Sequence, residues 1–282
     1  MKISRVGILL LITITILSVS GCSIVNRVFA RNELNDGAKA YKERKFAEAE
    51  KHFRKARDLD PDQMIAQRLL ARSLHQQFLS NRTAASNLAK GEEATEIYKK
   101  ILEQNPNDEE TNRAVANLLE ITKGQPAQTE WMQKRANDER VAPENRADAF
   151  TSLASKQYNC ANEITELTKQ NVVKDNKAIY VFKKPENPEE FDKARQCTQT
   201  GTELIDKAIS LDPNDDSAWS YKASLLVQQA RIAEMENNPT LKEQLMKQSD
   251  EAKAKFLALS EEKARKREEE EARKKAEAEE KK

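Results

Sequence analysis

Gly37–Pro61 reads GAKAYKERKFAEAEKHFRKARDLDP, and this stretch decides the fold. It predicts two short amphipathic helices joined by a tight turn near Arg44–Lys45. The first helix places Gly37, Ala40 and Tyr41 on one face. The second places Phe46, Ala49, Phe53 and Ala56 at separations of three, four and seven residues, so that they too share a face. Leu59 extends the stripe, and Asp60-Pro61 stops the helix because the residue before a proline is driven out of the helical region. Small residues at Gly37 and Ala49 permit close approach, and Phe53 supplies the bulk between the helices. A lone hairpin of this kind cannot bury its own apolar face, so neighbours of the same design are required.

The spacing recurs. Ala94, Tyr98, Ile101 and Pro106 repeat the pattern of Ala49, Phe53, Ala56 and Pro61, and Gly201, Ile205, Ala208 and Pro213 repeat it again. Each copy ends in Asp-Pro or Asn-Pro. This combination of small residue, aromatic, Ala and closing Pro resembles the tetratricopeptide repeat (TPR), a helix-turn-helix unit of about 34 residues. The resemblance implies an all-α TPR solenoid of about five helical hairpins, with repeats near 32–62, 63–107, 108–143, 144–214 and 215–259. Within it, residues 108–143 carry the most divergent second helix, built around Trp131. Residues 217–235 recover the family's Trp and small-residue spacing through Trp219 and Ala223.

The N-terminus has a different character. Met1–Arg5 is a short basic start, Val6–Val19 is an apolar run, and Val19-Ser20-Gly21-Cys22 follows. A charged start, a short apolar run and small residues before a cut site make a secretory signal. The last four residues resemble the lipobox of bacterial lipoproteins. That resemblance implies removal of a signal peptide over 1–21, acylation of Cys22 and a lipidated tether over 22–31. Ser23 after the cysteine leans toward the outer membrane. The chain is then expected outside the cytoplasm, in the bacterial cell envelope, lipid-anchored at the outer membrane and facing the periplasm.

Composition excludes several classes. Lys and Arg number 48 against 47 Asp and Glu, so whole-molecule charge gives no reason to expect nucleic acid as a partner. No Gly-rich phosphate loop, nucleophile elbow or metal-ligand spacing is present. The expectation is a protein without cofactor or metal that is not an enzyme. The histidines, His52 and His75, read as surface or groove residues.

Between the first helix of the fourth repeat (145–158) and a second helix beginning near Phe191 lies an insertion, 161–190. Val172-Val173 and Ile179-Tyr180-Val181-Phe182 read as a small β-hairpin around Lys-Asp-Asn-Lys. Ile164 and Leu167 also allow the first helix to run on. A two-stranded hairpin is marginal in water by itself. It must pack on its own scaffold, or Ile179, Tyr180, Val181 and Phe182 form a docking strand for another protein. Cys160 and Cys197 bracket the insertion at places that lie side by side in a helical hairpin. In an oxidising compartment they read as a disulfide, worth about 3–4 kcal/mol in the chain-entropy model. A redox-active pair is the other reading, without Cys-x-x-Cys spacing to support it.

The last helix runs into a tail, 260–282, with nine acidic and nine basic residues. Pairs such as Glu262–Lys266, Glu269–Arg273, Glu270–Lys274 and Glu271–Lys275 have the favourable i, i+4 order. A solvated helix fraying toward its end is expected, without the apolar heptads of a coiled coil. The inward-facing spacing of the TPR family implies a protein-binding groove of Tyr41, Arg68, Arg72, His75, Arg113, Asn117 and Tyr158. Such a groove suits an extended peptide or carboxylate. The combined reading is a lipid-anchored TPR scaffold that binds other envelope proteins or peptides, in assembly of an envelope complex. In plan it is similar to the five-TPR lipoprotein of outer-membrane-protein assembly. The alternatives are a peptide- or peptidoglycan-binding lipoprotein and a protein similar to type IV pilus pilotins.

Overall fold

The structure, a computed structural model, describes residues 25–174 and 177–279. The signal segment 1–21 and Cys22 lie outside the described residues. Ten helices and one two-stranded sheet are present among those described. They follow one another as α1 (25–42), α2 (Phe46–Leu59), α3 (Met64–Ser80), α4 (Ala85–Gln104), α5 (Glu109–Lys123) and α6 (Gln125–Asn137). Then come α7 (Pro143–Leu167), β1 (Lys169–Lys174), β2 (Lys177–Phe182), α8 (Pro188–Leu211), α9 (Asp216–Met235) and α10 (Pro239–Glu279). The fold is all-α, a succession of helical pairs with a β-hairpin insertion. The chain divides into two compact units at Gln128/Thr129, in the first turn of α6.

In the first unit, α1 packs on α2 through the contact that the opening stretch predicts. Gly37 is buried, and a Cβ placed on it would stand 2.6 Å from the Phe53 ring. Ala49, Phe53 and Ala56 are fully buried. Gly91 of α4 makes the equivalent slot for Phe78 of α3, at 2.9 Å. Two helices that meet at a glycine bring an aromatic ring against backbone, and full burial of such a side chain contributes roughly 1.5–3 kcal/mol. The α1–α2 turn is a Schellman closure: Lys45 N–H donates to the Ala40 carbonyl at 2.9 Å and Arg44 N–H to that of Tyr41 at 3.0 Å. It holds Arg44 at φ 62°, the left-handed region that glycine occupies at lower cost. The α9–α10 turn repeats this geometry with Asn237 at φ 59°.

Successive hairpins are joined by one recurring turn. Asp60-Pro61-Asp62-Gln63, Asn105-Pro106-Asn107-Asp108 and Asp212-Pro213-Asn214-Asp215 each begin at the C-cap of a second helix. Their capping residues lie at φ −140°, −131° and −136°. In each, the fourth residue's N–H donates to the first residue's carbonyl, at 3.1, 3.2 and 3.3 Å. The proline ends one helix, and the fourth residue stands at the N-cap of the next.

The second unit is built around Phe150, Leu153, Ile205, Ala208 and Leu225, with Met132 and Tyr158 against them. Here the structure redraws the expected insertion. Helix α7 continues to Leu167 and α8 begins at Pro188, so 161–167 and 188–190 are helical and the inserted segment is 168–187. Cys160 and Cys197 therefore sit within the helices rather than at their ends. They are bonded, with their Cα atoms 6.1 Å apart. The strands pair antiparallel from Lys169↔Phe182 to Lys174↔Lys177.

A buried polar network binds the end of α7 to α9. Thr165 Oγ1 donates to Gln228 Oε1 at 2.8 Å, and Gln228 Nε2 donates to Asn162 Oδ1 at 2.9 Å. Arg231 reaches Asn162 and Thr165 and pairs with Glu166 at 2.8 Å. Its guanidinium also lies 4.2 Å from the centroid of the Phe182 ring. Phe182 in turn joins the cluster of Phe191, Ala194, Ile232 and Met235. The root of the β-hairpin is thus fixed on its own scaffold.

Two further differences from the sequence reading concern the ends. The expected tether over 22–31 is helical from 25 on, and Ala30 is fully buried. Helix α10 is continuous through Glu279 and exposed from Glu261 on. Glu262–Lys266 and Glu270–Lys274 form at 2.6 and 2.7 Å. Glu269 instead pairs back to Arg265, and Arg273 forward to Glu277. Lys263 leaves the tail's own face to reach Asp216 of α9 at 2.6 Å.

Candidate functional site

The first helices of three hairpins converge in the first unit. Tyr41 closes α1, Arg68, Arg72, His75 and Gln76 come from successive turns of α3, and Glu110, Thr111 and Ala114 come from the start of α5. With Tyr98 of α4 as its floor, they line a cleft of about 340 Å³. The spacing of Arg68, Arg72, His75 and Gln76, at four, three and one residues, carries them down one side of α3.

Each polar group in the cleft has a distinct environment. Arg68 is tied to Asp108, the N-cap of α5, and its Nη1 also donates to Thr111 Oγ1 at 3.1 Å. Asp108 accepts the Thr111 N–H at 3.0 Å. Burial works to raise the Asp108 carboxyl's pKa, but the hydrogen bonds from Thr111 and Arg68 outweigh it and hold the value below the ordinary range. Arg72 pairs with Glu110, whose side chain is 66% exposed. That openness makes the second pair the exchangeable one, since exposed pairs contribute only ~0–1 kcal/mol.

Burial raises the Tyr41 hydroxyl's pKa, with Arg72 opposing and Glu110 adding. Burial raises that of Tyr98 further. His75 lies edge-on to Tyr98, ring centroids 6.1 Å apart. Its pKa is pushed down by burial and then by the Arg82 charge. Its Nε2 is buried without a hydrogen-bond partner among the described residues. Tyr41 is steadied by an edge-on contact with Phe46 at 5.2 Å.

The seven residues expected in one groove are thus distributed. Tyr41, Arg68, Arg72 and His75 come together. Arg113 and Asn117 are exposed on α5 and do not line the cleft. Tyr158 belongs to the second unit, edge-on to Tyr221 at 6.1 Å. The cleft also holds residues that the sequence reading left out. Tyr98 reads in sequence as a core residue, and Asp108, Glu110 and Thr111 look in sequence like ordinary first-turn residues of a helix. The available signal was the repeated turn: the residue three after Asn105 must cap α5, beside the inward face of α3. The other histidine, His52, holds Glu33 at 2.6 Å.

The docking strand divides along its length. Phe182 and Val181 are half-buried at the hairpin root, whereas Tyr180 is 60% exposed and Ile179 36%.

No protein-family model matches the chain, and no curated protein matches it. Among solved structures, a MamA protein is 16% identical with a TM-score of 0.41, covering 84% of this chain and 94% of that one. The MamA RS-1 ArsTM double mutant is 14% identical with a TM-score of 0.41, covering 83% and 96%. The TPR2AB domain of yeast Sti1 in complex with pHSP90 is 14% identical with a TM-score of 0.29, covering 83% and 99%. These likenesses are too distant to carry function.

Proposed function

We propose that this chain is a non-catalytic helical-repeat scaffold that captures an extended segment of another envelope protein in the cleft of α1, α3 and α5. One observation carries the reading: Tyr41, Arg68, Arg72 and His75, from two different helices, meet over Tyr98 in a single open cleft. Aromatic walls beside an exchangeable Arg72–Glu110 pair suit a peptide that brings both an apolar side chain and a carboxylate. The carboxylate displaces Glu110, while Arg68 stays bound to Asp108 and keeps α3 and α5 in place. The partner site therefore turns on Arg72 and Tyr41 rather than on Arg113.

Anchoring belongs to the same reading. A lipobox-like Val19-Ser20-Gly21-Cys22 supports acylation at Cys22, localisation in the bacterial envelope at the periplasmic side of the outer membrane, and a role in assembling an envelope complex. The disulfide agrees with an oxidising compartment. The alternatives are a peptide- or peptidoglycan-binding lipoprotein and a pilotin-like protein. Capture from solubilised membranes, compared between the unaltered chain and Y41A/R72E, separates them. Loss of a β-barrel assembly complex or a secretin with the double variant supports the scaffold reading and says which machine it serves. Retention of only cell-wall fragments, unchanged by the variant, overturns it.

A further inference from the structure

The first turns of α1 carry apolar side chains away from the packed side of the helix. Ala30 is fully buried and stands seven residues before Gly37, which meets the Phe53 ring of α2. Val25, Val28 and Phe29 are separated by three and four residues, so they share a different face. That face is open: the three are 52%, 57% and 56% exposed. Further along, the same stripe continues as Asn32, Asn35 and Asp36, all exposed. The outer face therefore changes polarity along the helix axis. A contiguous cluster of large apolar side chains in water marks a surface that something else covers.

The position of the patch in the chain says what that cover is. Val25 comes three residues after Cys22, the cysteine of the lipobox-like sequence. Even a fully extended link holds their Cα atoms within about 11 Å of each other. Acyl chains on Cys22 sit in the hydrocarbon, and the headgroup layer outside it is itself about 5–8 Å thick. The gap that remains is narrower than one helix with its side chains, about 10–12 Å across. Lipid reaches the patch, and no folded partner fits between them. The polarity gradient agrees. A helix lying flat in the interface is apolar along one whole side, but here only the end nearest Cys22 is apolar. That is the pattern of a helix whose first turns dip in and whose remainder emerges. No cation is required: Arg27, on the same turns, already lies 3.9 Å from Asp60.

We propose that the start of α1 is a membrane-contact element: Val25, Val28 and Phe29 enter the headgroup region of the bilayer that holds the acyl chains of Cys22. Acylation of Cys22, part of the proposed function, is its premise. Acyl chains alone leave a protein free to swivel about its link. Apolar turns at the interface add a second contact and fix the angle of α1. Tyr41 lies 16 residues beyond Val25, about 24 Å along the axis. The contact thus sets the height at which α1 presents its side of the cleft.

The test uses the full chain, expressed with its leader in a bacterial host, purified from membranes and reconstituted into phosphatidylcholine vesicles containing lipid brominated near the headgroup. Mass spectrometry of the N-terminal peptide reads the acylation of Cys22 separately from the fluorescence. A reporter is introduced by F29W, in the patch, or by N35W, on the polar stretch of the same face. Emission is read as the difference from the unsubstituted chain because Trp131 and Trp219 also emit. The F29W signal is expected to be quenched at least about threefold more than the N35W signal. V25D/V28D in the F29W background should bring quenching down to the N35W level, with the acyl mass, the disulfide and the helical circular dichroism unchanged. Equal quenching at the two positions, or quenching that survives V25D/V28D, overturns the inference and leaves the anchor standing. Cys22 without lipid overturns the anchor, and the inference with it. An F29W signal shielded from quencher in a dimer that V25D/V28D dissolves overturns it in favour of a second copy of the chain.

Discussion

Asp108 and Asp215 occupy the same position in the same turn, one in each unit, yet their charges are received in opposite ways. Each follows a helix end with Pro two residues before it, and each caps the next helix, at 3.0 Å to Thr111 N–H and 2.9 Å to Ser217 N–H. Asp108 has Arg68 beside it, and its pKa is lowered despite burial. Asp215 has Thr151 at 3.3 Å and the charge of Asp212 nearby. Burial raises its pKa, Asp212 adds to the effect, and its hydrogen bonds do not overcome it. A recurring turn fixes the backbone, but the facing helix decides what the cap does. In the first unit the cap is wired to an arginine of the cleft. In the second it is a structural cap only, and the unit is held instead by Cys160–Cys197 and the Arg231 network.

That contrast can be broken at several points. The largest effect should come from C160S/C197S. A bridge spanning 37 residues contributes about 2–4 kcal/mol, and its loss should appear in hydrogen exchange of α7 and α8 while α1–α4 keep their protection. Arg231→Ala should follow, at roughly 1–3 kcal/mol, because it strands Glu166 and part of the Asn162–Thr165 set. Exposure of Phe182 to exchange or protease should accompany it. Equal loosening of both units by either variant would contradict the division of labour.

The two aspartates supply the next comparison. Asn caps a helix about as well as Asp, so Asp→Asn removes the charge and keeps the acceptor. D108N should cost about 1–3 kcal/mol, since Arg68 loses a charged partner. D215N should be near neutral or slightly stabilising, within about 0.5 kcal/mol. The pH dependence has opposite signs. The folded pKa of Asp108 is depressed, so its contribution is present above its unfolded value of about 3.9 and fades as pH falls through the folded value. That of Asp215 is raised, so its contribution is most favourable below the unfolded value and declines as pH rises through the folded one. Denaturant titrations from acid to neutral pH, with each Asn variant subtracted, would show the two slopes.

The smallest effect should be at the turns. Arg44→Gly relieves a left-handed non-glycine residue and should stabilise by about 0.5–1 kcal/mol.

Local sequence information fixes the first hairpin. The Phe46, Ala49, Phe53, Ala56 stripe and the stop at Asp60-Pro61 lie within a few turns, and Gly37–Phe53 packing follows from them. Pairing of Cys160 with Cys197 required only that a long hairpin bring two helices together. Of the positions that the TPR resemblance implies, Tyr41, Arg68, Arg72 and His75 line one cleft. Arg113 and Asn117 lie exposed on α5, outside the cleft. Phe182 against Arg231 joins residues far apart in sequence, and no local pattern announces it. Residues 25–31 contain neither Gly nor Pro, so nothing stops α1 from starting early.

The proposed entry of partners lies over Tyr98, between Arg72 and Tyr41. Site-specific photocrosslinking in intact envelopes tests it most directly, with the photoreactive residue at Gln76, inside the cleft, or at Arg113, outside it on the same unit. A defined protein adduct from position 76 that disappears with Y41A/R72E, and none from position 113, is the predicted result. The same adduct from position 113, or one from position 76 that survives Y41A/R72E, would contradict the account.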